Sequence, residues 1–176
     1  MKVASKILAI LFSAILIFSA CSSDNKDNRS EHFFNGICKL DIPLKGFANQ
    51  LTTTQETSVP LDTLLKDNDY IPPVTNGVMF LTNTTAIEIT GLKEGIILKN
   101  FILNINDLEY KFGDITSSNT VLYTDQTMSY FKNVFDRMIA QNKLRASASF
   151  TPSQKIDETS DVKLKIVFGG KFSYWK

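Results

Sequence analysis

Catalysis by an activated serine or cysteine needs an imidazole to take the proton of the nucleophile. This 176-residue chain has one histidine, His32. It closes the run "SSDNKDNRSEH", residues 22–32, which contains no apolar residue to hold an imidazole in geometry. Zinc chemistry fails for the same reason, because Cys38 and His32 cannot supply three or four ligands. Asp67-Asn68-Asp69 starts like a calcium loop but lacks the turn glycine and the later acidic ligand, and reads as a solvated turn. No glycine-rich phosphate loop occurs. A carboxylate pair for glycoside hydrolysis can always be drawn from 18 acidic residues, yet nothing singles one out. Asp157, Glu158 and Asp161 sit in the polar stretch "TPSQKIDETSD", their ordinary place. Nothing calls for a cofactor.

One thiol does have a chemical context. Lys2 and Lys6 are followed by a twelve-residue run, Ile7 to Phe18, that is apolar apart from Ser13. A basic start and a short apolar stretch are the parts of a secretory signal, and the stretch is too short to span a bilayer. It shows no polar face at a 3.6-residue period, so it does not read as a core helix. The run ends in Phe18-Ser19-Ala20-Cys21, which resembles the lipobox of bacterial lipoproteins. That resemblance implies diacylglyceryl transfer to the Cys21 sulfur, cleavage before Cys21, and acylation of the new amino group by a chain such as palmitate. Two or more acyl chains anchor a protein stably, where one does not. The residues after Cys21 are similar to those of Bacteroides-type envelope lipoproteins, which implies an outer-membrane address and allows a surface-exposed one. In such proteins the triplet Asp-Ser/Thr-apolar marks O-glycosylation; Asp62-Thr63-Leu64 matches it at Thr63, with a helix start as the competing reading.

The organisation expected is therefore a leader at 1–20, a lipidated disordered tether at 21–32 and a single domain at 33–176. The tether has no apolar surface to offset its ordering entropy and reaches on the order of 35 Å at about 3.3 Å per residue. The domain is large enough for its own core. Without the leader the chain carries 17 basic and 18 acidic residues, which leaves no electrostatic footprint for nucleic acid. Cys38 is left without a disulfide partner once Cys21 is acylated. It lies in "FFNGICKLDIPL", where Phe34, Gly36, Cys38, Leu40, Ile42 and Leu44 alternate onto one face, as a small buried hydrophobe would.

The elements that would position any site are mostly strands. In "NFILNINDLEYKFG" a two-residue turn at Asn106-Asp107 sets Ile105 opposite Leu108, Leu103 opposite Tyr110 and Phe101 opposite Phe112, all on one face. "GVMFLTN" and "AIEITGL" read as further strands, the second with Ile87 and Ile89 inward. Leu144, Ala146, Ala148 and Phe150 alternate, as do Val162, Leu164, Ile166, Phe168, Gly170, Phe172 and Tyr174. Gly169-Gly170 suits either a hairpin or a bend or bulge in one long strand; the second keeps every apolar residue on one face and is preferred. "DQTMSYFKNVFDRMIAQNK" carries Met128, Phe131, Val134, Phe135, Met138 and Ile139 on one helical stripe, with Thr124 or Asp125 as cap and Asn142-Lys143 at the end. Residues 45–75 are weakly patterned: Pro60 with Leu61, Leu64 and Leu65 suits a helical turn, the rest a loop or edge strand, and Pro72-Pro73 stops any helix.

These elements specify a mostly-β domain: an antiparallel two-sheet β-sandwich of seven to nine strands with one amphipathic α-helix. Trp175, the only tryptophan, with Tyr174 and Tyr123 offers an aromatic platform for a sugar ring, against the reading that Trp175 closes the core at a strand end. The function expected is a non-catalytic outer-membrane or cell-surface lipoprotein, a binding or accessory module for a protein or glycan partner. A structural or adhesion role in a surface fibre is the first alternative, and an enzyme or enzyme inhibitor the second.

Overall fold

The structure, a computed structural model, describes residues 29–81, 84–117 and 119–176. The leader, Cys21 and most of the expected tether lie outside the described residues. Among the described residues nine antiparallel strands form two sheets: β1 (Glu31–Pro43), β2 (Thr53–Pro60), β3 (Asn76–Met79), β4 (Ala86–Thr90), β5 (Leu98–Ile105), β6 (Leu108–Ile115), β7 (Asn119–Val121), β8 (Lys143–Pro152) and β9 (Lys163–Trp175). Two helices, α1 (Leu61–Leu64) and α2 (Met128–Gln141), complete the order. One sheet runs β1-β9-β4-β7 with β3 also on β9, and the other runs β2-β8-β5-β6. The expected sandwich is the observed fold class.

The inner faces follow the alternation in the sequence. Cys38 and Ile42 of β1, Ile87 and Ile89 of β4, Leu144 to Phe150 at even positions of β8, and Leu164 to Phe172 at even positions of β9 are buried together. The hairpin β5–β6 has Asn106 and Asp107 at positive φ, 48° and 63°, as a two-residue turn of the primed kind requires. Ile105 faces Leu108 and Leu103 faces Tyr110. Beyond them the ladder is irregular, with Phe101 opposite Gly113, yet the rings of Phe101 and Phe112 still lie 6.3 Å apart.

β9 is one strand, paired with β1 from Glu31↔Trp175 to Pro43↔Lys163 without a slip. The glycines therefore mark no bulge. They mark close approach: a Cβ on Gly169 would run into Thr84, one on Gly170 would come 2.7 Å from Cζ of Phe135 on α2, and on β3 one at Gly77 would meet Ile139 at 2.9 Å. Helix α2 thus lies directly on backbone, with Phe131, Val134, Phe135 and Met138 buried beneath it. It starts at Met128 rather than at 125, because Thr124 to Thr127 form a turn: the Thr127 hydroxyl accepts from the Thr124 N–H (2.9 Å) and donates to the Leu122 carbonyl (2.6 Å). Asn142 ends it at φ 51°.

His32 belongs to β1 and not to a tether: Ser30 and Lys176 exchange backbone hydrogen bonds of 2.8 and 3.1 Å, and the His32 ring stacks on Tyr174 at 5.5 Å. A polar sequence can continue a sheet when its neighbour supplies the ladder. The weak region 45–75 contains an edge strand, β2, polar except for Val59 and Pro60 and held by β8. β7 is a three-residue strand on β4 that the alternation does not reveal.

Candidate functional site

Alternation along β9 decides where its terminal aromatics go. Tyr174 shares the inward phase and is buried; Trp175 takes the outer phase and is 50% exposed. On the next pair, the Ser30–Lys176 hydrogen bonds fix the strand end from which the indole projects. The segment after α1 passes beneath this end, with Tyr70 stacked on Phe34 at 5.0 Å. It then turns through Ile71, Pro72 and Pro73, the last two joined by a cis peptide bond. Thr75 secures the turn, its backbone N–H donating to the Ser173 carbonyl at 2.8 Å and its hydroxyl to the same oxygen at 3.1 Å. The result is an open cleft of about 370 Å³ lined by Trp175, Ile71, Pro72, Pro73 and Thr75, with Arg29 and Lys176.

The three aromatics named from sequence are not brought together. Tyr174 packs inward among His32, Phe34 and Tyr70, with its hydroxyl 3.4 Å from the Asp69 carbonyl. Tyr123 follows Leu122, whose N–H donates to the Ile87 carbonyl, and Ile87 sits opposite Ile166, nine positions from Trp175 along β9. That is roughly 30 Å of strand at about 3.3 Å per residue. The Tyr123 hydroxyl donates to the Leu81 carbonyl at 2.9 Å, its ring meets Phe131 edge-on, and burial with nearby Asp125 pushes its pKa up. Trp175 keeps its freedom, but its companions are Ile71 and the two prolines. In the sequence the Pro pair marks only a helix stop; its place beside Trp175 is set by tertiary contacts.

The other candidate residues fall apart from the cleft. Thr63 is exposed within α1, where the triplet Asp62-Thr63-Leu64 follows the first helical residue, Leu61; its backbone N–H donates to Oδ1 of Asp62 at 2.7 Å. Cys38 is fully buried, and burial pushes its thiol from 9.0 up to about 12. His32 lies six positions from Cys38 on the same strand, roughly 20 Å at about 3.3 Å per residue, so the two form no catalytic pair. Its Nε2 is 2.8 Å from Oγ of Ser30. Among the described residues no three His, Cys, Asp or Glu side chains gather as a metal ion would need. No helix among them is long and apolar enough to cross a membrane.

What the cleft offers is recognition chemistry. An indole face beside two pyrrolidine rings presents flat apolar surface, to which the C–H face of a sugar or an apolar side chain can stack. Thr75, Arg29 and Lys176 place polar groups around it. In comparisons with known proteins the chain matches no family model, no curated protein and no solved structure.

Proposed function

We propose that this chain is a lipid-anchored protein of the bacterial outer membrane, acylated at Cys21, whose β-sandwich is a non-catalytic module that binds a glycan through the Trp175 cleft. The leader and the residues around Cys21 support the anchor. The observation that carries the binding role is the half-exposed Trp175, set with Ile71, Pro72 and Pro73 in the lining of an open cleft. A large aromatic ring that folding leaves half in water, on a strand paired to its last residue, offers a ligand apolar surface and adds little to the core. Ile71, 46% exposed, extends the same surface. The experiment is a printed array of oligosaccharides probed with the full chain in detergent micelles, wild type beside Trp175→Ala. Signal on a defined glycan class that disappears in the variant supports the reading. Signal that survives Trp175→Ala places recognition elsewhere, and turnover of a bound saccharide removes the non-catalytic reading.

A further inference from the structure

Strand β1 is a sheet edge thirteen residues long, and its backbone parity decides what it can do. Ser30 and Lys176 exchange both their hydrogen bonds, and the Leu44 N–H donates to the Val162 carbonyl. Even-numbered residues of β1 therefore bond to β9, and the N–H and C=O groups of Glu31, Phe33, Asn35, Ile37, Lys39 and Asp41 point away from the sheet. Among the described residues none of these groups has a backbone partner across the free edge. No bulge and no proline interrupts the edge before Pro43, although open edges are commonly guarded by such devices. Phe33 and Ile37 stand on its outer face, 58% and 53% exposed.

We infer that this edge pairs with the same edge of a second copy of the chain, antiparallel about a two-fold axis at Asn35, joining the two sheets into one. The register follows from charge. Only odd residues carry outward backbone groups, so the alternatives differ by whole two-residue steps. With Asn35 opposite itself, Glu31 faces Lys39 of the second copy and Phe33 faces its Ile37, each pair occurring twice by symmetry. Two residues further, Arg29 comes opposite Asp41. Moving the axis to Gly36 sets Glu31 against Asp41 and Phe33 against Lys39. Moving it to Ile37 leaves Phe33 against Asp41 and Asn35 against Lys39. Moving it to Phe34 sets Arg29 against Lys39. A single register therefore matches opposite charges and apolar side chains together, with about ten new backbone hydrogen bonds at two per narrow pair. Like charges opposite one another disfavour the neighbouring registers.

The two-fold geometry is read by cross-linking. A narrow antiparallel pair holds its Cα atoms about 5.5 Å apart, within the reach of a disulfide. The full chain in detergent micelles, carrying Asn35→Cys, should give a covalent dimer on mild oxidation. Ile37→Cys, and the wild type with its buried Cys38, should not. Sedimentation should show a dimer that Ile37→Pro weakens at least tenfold, because that N–H points outward and its loss spares the β1–β9 ladder. An unchanged melt in Ile37→Pro confirms that the fold is spared. Glu31→Lys or Lys39→Glu alone should weaken the dimer, and the double variant should restore it. A wild-type chain that sediments as a monomer at tens of micromolar overturns the inference. So does cross-linking at position 37 in preference to 35, or a double charge swap that fails to rescue.

Discussion

Asn106, at the tip of the β5–β6 hairpin, binds Arg145 of β8 twice: its backbone N–H donates to the Arg145 carbonyl at 2.8 Å, and its Oδ1 accepts the Arg145 N–H at 3.0 Å. The same side chain donates from Nδ2 to the Lys143 carbonyl at 2.8 Å and to Oε1 of Gln141 at 3.0 Å. A fully buried amide with every side-chain hydrogen-bonding group paired thus ties the hairpin to the end of α2 and the start of β8. Asn106→Gly keeps the positive φ but orphans those partners and should cost about 2–4 kcal/mol. Asp107→Gly, beside it, should change stability by less than about 0.5 kcal/mol, since it loses only exposed contacts. Chemical denaturation of the two variants checks this, and equal losses would contradict it.

The helix face makes a second contrast. Phe131 is fully buried and its ring meets Phe112, Tyr123, Tyr130 and Phe168, whereas Lys132 is exposed. Phe131→Ala should lose about 3–5 kcal/mol by transfer and cavity terms, and Lys132→Ala less than about 0.5. Thermal melts that show the two variants alike would mean that α2 does not pack by this face.

Alkaline stability should report on Cys38. Burial raises its thiol pKa from 9.0 to about 12. Above pH 9 the unfolded chain releases a proton that the folded chain retains, so stability present below pH 9 is lost as the pH climbs toward 12. The slope from this group reaches about 1.4 kcal/mol per pH unit, and Tyr130, also raised by burial, adds its own loss at the alkaline end. Cys38→Ala should flatten the decline between pH 9 and 11, and native Cys38 should resist alkylation until denatured. An unchanged alkaline slope in Cys38→Ala would contradict the assignment.

How much of this was legible in the sequence depends on how local the cause is. The β5–β6 hairpin was readable because alternation and two turn residues lie within fourteen positions, and only the irregularity at Phe101 escaped. The straightness of β9 was readable from seven residues in phase. The reason for its glycines is not, since Gly169 faces Thr84 and Gly170 faces Phe135, both far away in the chain. β2 is polar at most positions and takes its strand character from β8, and His32 likewise takes its place from Tyr174. Asn106 was visible as a turn residue, but its partner Arg145 is 39 residues away. The exposed phase of Trp175 could be counted along β9, whereas its neighbours Ile71, Pro72 and Pro73 come from a stretch with no periodic pattern.

The anchor is tested at Cys21. Removing the thiol would remove the proposed acyl acceptor, so Cys21→Ala should leave an unprocessed or soluble product when the chain is expressed in a bacterium, and the wild type should partition with the outer membrane. Mature, membrane-bound protein in the variant would contradict the lipoprotein reading.

The central claim, binding at Trp175, has a built-in probe, because Trp175 is the only tryptophan in the chain. Its emission should be that of a half-exposed indole, and titration with an array-positive oligosaccharide should shift it to the blue in a saturable way as the ring is covered. Calorimetry on the same sample should give the same dissociation constant. Trp175→Ala should abolish the heat of binding while moving the melt by no more than the equivalent of about 1 kcal/mol, as expected for a surface position. Saturable heat with no change in Trp175 emission, or a variant that unfolds, would contradict the account.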